Sequence, residues 1–220
     1  MEETMYHVEP FSSPLTFKVA DITVTKASVS DMDNNTYLLV PDEGSALLID
    51  AADSPDLLKK LIGENKLGHI LTTHRHHDHL QALKAIADSC DAQVLAGEDD
   101  AHAITDETGV VSEPVWDNDH FVVGDSLLEI IGLVGHTPGS IAVALAPDEG
   151  TAHIFTGDSL FPGGVGKTNS RDDFDQLLDD VTKKIFDVFD DDTVIHPGHG
   201  DATTLGAERG QLEQWRQRGW

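Results

Sequence analysis

Apolar positions along the chain fall into short β-prone runs, at 22–25, 36–40, 46–49, 69–72, 127–133, 141–146, 153–156 and 193–196, each bounded by Gly, Pro, Asp or Ser. Between several of them the spacing lengthens to that of a helix. One helix is predicted after Ser54-Pro55, with the serine placed to cap it and the proline at the first helical position. A second is predicted from about Asp78, where Leu80, Leu83 and Ala87 recur at helical spacing. A third spans 171–189, its stripe formed by Phe174, Leu177, Leu178, Val181, Ile185 and Val188 with acids on the other faces, and a last one lies at 211–215. Strands first, then strand–helix units in both halves, predict a layered α/β fold and neither a helical bundle nor an all-β barrel. No repeat or linker divides the chain, so 1–220 reads as one domain.

Composition narrows the function. Forty acidic residues against fourteen basic ones give a formal net charge of −26, which excludes nucleic acid as a partner, because a phosphate backbone needs Lys and Arg to replace its counterions. The acidic start, Met1-Glu2-Glu3, lacks the basic and apolar segments of a secretory signal, the apolar runs are too short to span a membrane, and the single cysteine, Cys90, has no internal partner. These features predict a cytoplasmic protein acting on a small molecule, with the oligomeric state open. Cys90 reads as core filler.

The chemistry is concentrated in histidine. Thr73-His74-Arg75-His76-His77-Asp78-His79 places four imidazoles and a carboxylate directly after a β-prone run. Imidazole and carboxylate are ligands for zinc and similar metals. In an extended turn His74 and His76 point the same way and His77 points away, while Asp78 and His79 start the following helix. A polar loop capped by Asp78 would explain the aspartate but not the histidines. Three further β-prone runs end in a glycine turn with a candidate ligand: His136 in 135–140, Asp158 in 156–159 and His199 in 197–200. Loops beyond strand ends are where α/β proteins place their ligands. Gly166-Lys167-Thr168 imitates a phosphate-binding loop, but Phe161 stands where that motif needs glycine.

The series His74-x-His76-x-Asp78-His79, His136, Asp158, His199 resembles the metallo-β-lactamase-fold hydrolases over roughly residues 35–200. The resemblance implies a four-layer αββα sandwich carrying two divalent metal ions, zinc being expected and iron or manganese compatible. It implies that His74, His76 and His136 hold the first metal, that Asp78, His79 and His199 hold the second, and that Asp158 bridges them. Asp50, ending the run at 46–50, matches an aspartate that supports the histidine loop. A metal-activated water would be the nucleophile, with Asp78 orienting it.

Within that family the chain is most similar to glyoxalase II, the hydroxyacylglutathione thioester hydrolases. Histidine at position 79, where many β-lactamases carry arginine, the bridging Asp158, and the segment from Gly157 to Lys167 carry this likeness. Lys167 matches a position that contacts the glutathione moiety. Thr168-Asn169-Ser170 replaces an expected aromatic residue, and with 21 residues after His199 no counterpart of the C-terminal helical domain of glyoxalase II is expected. Thioester hydrolysis with a weakly held thiol part is therefore expected. Alternatives are a persulfide dioxygenase holding one iron by His79, His136 and Asp158, a lactonase or β-lactamase, and a non-catalytic metal-binding module.

Overall fold

The computed structural model describes residues 6–219, so the acidic start at 1–5 lies outside the described residues. The first half forms a seven-stranded sheet in chain order, β1 (Leu15–Val19), β2 (Ile22–Ser28), β3 (Asn35–Pro41), β4 (Ala46–Ile49), β5 (Leu67–Thr72), β6 (Gln93–Gly97) and β7 (Glu113–Val115). The first four strands pair antiparallel and the rest parallel, since α1 (Pro55–Ile62), α2 (Leu83–Ala87) and α3 (Glu98–Thr108) supply the crossovers. The second half builds a six-stranded sheet from β8 (His120–Val123), β9 (Ser126–Gly132), β10 (Ile141–Leu145), β11 (His153–Gly157), β14 (Val194–Pro197) and β15 (Thr203–Thr204). A small hairpin, β12 (Leu160–Phe161) and β13 (Gly164–Val165), precedes α4 (Arg171–Val181), and α5 (Leu205–Arg209) and α6 (Leu212–Arg218) follow β15.

Period-two alternation within single strands makes the layers. In β10, Ile141, Val143 and Leu145 face a core between the sheets, while Ala142 and Ala144 face the core under α4. In β4, Leu47 and Ile49 join the central core and Ala46 and Leu48 the one beneath α1 and α2. Three apolar cores therefore separate four layers, helices, sheet, sheet and helices, as the αββα expectation requires.

Local details depart from the sequence reading for identifiable reasons. Pro55 does open α1, but Ser54 does not cap it with its side chain: its φ is 52°, and its hydroxyl donates instead to the Val29 carbonyl at 2.8 Å. Residues 77–79 form a 3-10 turn and the α-helix starts later, at Leu83. The long helix loses its stripe at the end: α4 passes into a π-turn over Thr182–Phe186, which rotates the following residues and leaves Val188 65% exposed. β1, β7 and β8 escape the apolar pattern because they lie at sheet edges, α3 because it carries acids, and β6 because its apolar run, Val94 to Ala96, is only three residues long. Among the described residues no helix is long and apolar enough to cross a membrane. Cys90 packs against the first core, its thiol 3.3 Å from the Ile86 carbonyl.

Between β11 and β14, His153 Nδ1 lies 2.8 Å from His196 Nε2 and the two rings stack between Phe17 and Phe155. Burial lowers the His153 pKa to about 4 and pushes His196 well below the usual imidazole range. The unfolded chain thus takes up protons, below its ordinary imidazole pKa of about 6.5, that the folded chain refuses until about pH 4. The stability contributed by the neutral pair is full above that range and declines as pH falls through it. His153→Gln should flatten the loss of stability between those values, measured by urea unfolding at a series of pH values. A slope equal to that of the unsubstituted protein would contradict this.

Candidate metal centre

The loops after β5, β9, β11 and β14 converge at one edge of the sandwich and bring every histidine of the predicted set, with Asp78 and Asp158, into one cluster. Three groups have ligand atoms lying within 4.8 Å of one another: His74, His76 and His136; Asp78, His79 and His199; and His74, His79 and Asp158. The rival set of His79, His136 and Asp158 is not one of these groups. Asp158 sits between the first two, with Oδ1 3.5 Å from His79 Nε2 and Oδ2 3.7 Å from His136 Nε2 and 3.5 Å from His199 Nε2.

Outer hydrogen bonds orient the rings. His136 Nδ1 donates to the Lys167 carbonyl at 2.7 Å, His199 Nδ1 to the Met32 carbonyl at 2.9 Å, and His79 Nδ1 to Asp50 at 2.9 Å. Thr73 Oγ1 donates to Asp50 at 2.8 Å and so accepts from His74 Nδ1 at 3.0 Å. These four imidazoles carry their proton on the outward nitrogen and turn Nε2 inward, the tautomer that a metal ligand needs. His76 instead presents Nδ1, 2.9 Å from His136 Nε2. His79 Nε2 and His199 Nε2 face each other at 3.1 Å.

Asp50 lies beneath the histidine loop. Besides His79 and Thr73 Oγ1 it accepts the Thr73 amide at 2.7 Å, from a backbone φ of +55° at the end of β4. Gly198 lets the last loop close over the cluster: a Cβ there would stand 2.3 Å from Asp158 Oδ1 and 2.7 Å from His79.

The electrostatics suit ligation. Burial and the adjacent imidazoles hold His74 well below the ordinary imidazole pKa, hence neutral. Burial works against charge on His79, yet the Asp50 and Asp158 carboxylates outweigh it and push its pKa up to about 10. Burial would raise Asp158, but the surrounding histidines keep it below the usual carboxylate range. The neighbouring His199, whose Nε2 lies 3.2 Å from Asp78 Oδ2, and the Asn34 amide hold Asp78 well below the usual carboxylate range.

His77 behaves as its alternation predicts: it is exposed and its Nδ1 lies 2.6 Å from Glu107. His77→Ala should retain metal and lose at most ~1 kcal/mol of stability, whereas His76→Ala should lose metal. Elemental analysis of both variants checks this, and equal losses would contradict it.

Two supports escaped the sequence. Asp100, fully buried in the first turn of α3, accepts from the Arg75 amide at 3.0 Å and the Gly139 amide at 3.1 Å, tying the loop of His74 and His76 to that of His136. Its position reads as a solvated acid at a helix start, and nothing local announces the partners. Asn34 donates through Nδ2 to Asp78 Oδ2 at 3.0 Å, with His199 Nε2 at 3.2 Å, and its backbone bridges to that of His199. The β3 side chains Asn35 and Tyr37 also hold the His199 loop, through the Pro197 carbonyl at 3.0 and 2.7 Å.

Residues 29–199 match the model of the metallo-beta-lactamase superfamily. The chain belongs to that superfamily. Among curated relatives, it is 31% identical over 169 residues to a hydroxyacylglutathione hydrolase of Ruegeria pomeroyi, covering 76% of this chain and 62% of the relative. It is 28% identical over 202 residues to a hydroxyacylglutathione hydrolase of Haemophilus influenzae, covering 82% and 92%. Among solved structures, the BLEG-1 B3 metallo-beta-lactamase superposes with a TM-score of 0.70 at 24% identity over 85% of this chain and 96% of that one. A protein crystallised in a di-iron-bound form gives 0.66 at 28% identity over 84% and 96%. Membership of this superfamily makes the chain a metal-binding hydrolase of the αββα fold.

Proposed function

We propose that the chain is a dinuclear metal-dependent hydrolase of small thioesters. The observation that carries this is the inward set of Nε2 lone pairs. With their protons committed to outer acceptors, His79 Nε2 and His199 Nε2 would oppose two lone pairs at 3.1 Å unless a proton or a cation lies between them. In the metal-free cluster a proton on His79, favoured by the Asp50 and Asp158 carboxylates, would fill that role. His74 Nε2 and Asp158 Oδ1 are buried with no hydrogen-bond partner, among the described residues, so both have a donor atom free for a metal. The donor set fits two ions: His74, His76 and His136 for one, Asp78, His79 and His199 for the other, and Asp158 for both. Nitrogen and carboxylate donors without thiolate suit zinc, and also iron or manganese.

Bound there, two divalent ions would supply an activated water near neutral pH and polarise the carbonyl under attack. The chain's own residues do the rest. Asp78, fixed by Asn34, holds a carboxylate where it can accept a hydrogen bond from the attacking water and steer it. His74, His79 and Asp50 are buried beneath, and the site opens beside the glycine-rich loop. There a cavity of about 380 Å³ is lined by His136, Asp158, residues 161–167 and Arg218. Lys167 lies on this wall and can pair with a substrate carboxylate, offsetting the repulsion that a net charge of −26 imposes on anions.

The thioesterase reading over other hydrolase chemistry is supported by relatives named hydroxyacylglutathione hydrolase and by the position of Lys167. Protein purified without added metal should contain two metal ions per chain and turn over a small thioester. One iron per chain with oxygen uptake on a persulfide would replace this reading with the dioxygenase. Lys167→Ala should raise KM for anionic thioesters while leaving kcat little changed, since the lysine touches substrate and transition state alike. Equal effects on a matched pair of charged and neutral thioesters would remove that role.

A further inference from the structure

The inner face of β2 carries a charge where the pattern asks for an apolar side chain. Period-two alternation puts Ile22 and Val24 in the core between the sheets, and the next position in that series is Lys26, which is fully buried. A buried ammonium is costly unless its protons find acceptors, and among the described residues Lys26 forms no ion pair with a carboxylate. Its Nζ donates instead to two backbone carbonyls, that of Gly200 at 2.5 Å and that of Tyr6 at 3.0 Å. Burial lowers its pKa to about 8, against the pull of the Asp201 and Asp33 carboxylates. A methionine would fill the same space without that desolvation, so what the lysine adds is its donors.

Both acceptors belong to segments that bear on the metal centre. Gly200 directly follows His199, a member of the second group of ligands. Its carbonyl also accepts from Asn35 Nδ2 at 2.9 Å, and its amide donates to the Asp33 carbonyl at 3.1 Å. Lys26 completes this grip on the turn that aims His199. Tyr6 opens a segment fastened to the same turn: its ring packs against Phe17 and His196, with centroids 4.6 and 5.2 Å away, and His7 Nδ1 lies 2.6 Å from Asp201 Oδ1. Val8 then enters the interior. The first group of ligands has its outer partners elsewhere, Thr73 for His74 and the Lys167 carbonyl for His136.

We propose that Lys26 is a positioning residue for the second metal position, and that segment 6–8, joined to the His199 turn through Lys26 and His7, is a strap whose attachment sets the metal affinity of that position alone. This rests on the two-metal reading. A turn whose carbonyl is gripped by an ammonium presents the His199 ring already aimed inward, so an ion arriving there does not have to order the turn. By linkage the effect is reciprocal, and an ion held by His199 tightens the strap by the same factor.

The test follows zinc binding to the metal-free protein under competition with a chelator, with the imidazole NMR signals of His136 and His199 reporting the two positions separately. Lys26→Met should weaken the His199 position about tenfold, the low end of the loss caused by removing an outer partner of a ligand. The His136 position should stay within about twofold. Urea unfolding of the same metal-free variant should show no loss of stability, because an apolar side chain of similar size replaces a buried charge at little or no cost. Affinity falling while stability holds is what separates positioning from general support. Lys26→Gln, whose shorter side chain can reach one carbonyl but not both, should recover part of the affinity; if the methionine variant does not fold, the glutamine variant takes its place and should still lose affinity at the His199 position alone. At the surface, His7→Ala should weaken the same position about two- to fivefold, the size of an exposed ion pair. Equal losses at both positions, no loss at either, a fall in stability that accompanies the loss of affinity, or no effect of His7→Ala would overturn the assignment. If the unsubstituted protein takes up a single zinc, the two-metal reading fails, and Lys26 is judged in the metal-free protein, where the Nδ1 proton of His199 should exchange with water faster in Lys26→Met. An unchanged rate would overturn its role.

Discussion

Replacing Asp158 by Ala is expected to empty both metal positions, not one. The carboxylate lies between the two groups of ligands, 3.5 Å from His79 and His199 and 3.7 Å from His136. It is the anion that would screen two cations from each other at close range. Loss of a residue that merely supports a ligand already lowers metal affinity roughly 10–100-fold, so loss of a shared ligand should exceed about 100-fold in affinity and in turnover. In the metal-free protein the same change removes one of the two carboxylates that hold the proton on His79, and the pKa of that histidine should fall from its raised value of about 10. Elemental analysis and NMR titration of the variant check both parts. Full occupancy at either position would contradict the shared role.

Asp50→Ala should produce the largest loss of stability of any single change at the site. Asp50 is buried and accepts three hydrogen bonds, from the Thr73 amide, the Thr73 hydroxyl and His79. Alanine would leave a buried imidazole and a buried amide without partners, a loss of about 3–5 kcal/mol for a broken buried pair. The positive φ adds to it, because Asp tolerates the left-handed region better than Ala. Asp50→Asn keeps the volume but turns a donor toward donors. It should lose less stability and still weaken metal binding 10–100-fold. Urea unfolding of the metal-free variants measures the first effect and competition with a chelator the second. A loss below about 1 kcal/mol for alanine would show that the loop is held by other contacts.

The parts of the molecule that could be read from the sequence are those whose signal is local. The unbroken apolar runs at 46–49 and 141–146 mark strands buried on both faces, and both strands form within a residue of the expected bounds. The ligand loops are legible because the first gathers four histidines and an aspartate just past β5 and the other three each place a histidine or aspartate beside a glycine just past a strand. Their supports are not, because they depend on contacts distant in the chain. Asp100 meets Arg75 and Gly139, and Asn34 meets Asp78 and His199, across gaps that no local pattern bridges. Ser54 shows the opposite failure: its local chemistry favours a cap, but a tertiary partner, the Val29 carbonyl, takes the hydroxyl. Val188 misleads because a helical stripe assumes an unbroken period, which the π-turn at Thr182–Phe186 interrupts.

The most direct test of the two-metal thioesterase is a titration of metal-free protein with zinc, following hydrolysis of a small thioester. The seven converging side chains predict activity that rises to a break at two equivalents of zinc per chain. A break at one equivalent, or no turnover at any ratio, would contradict it.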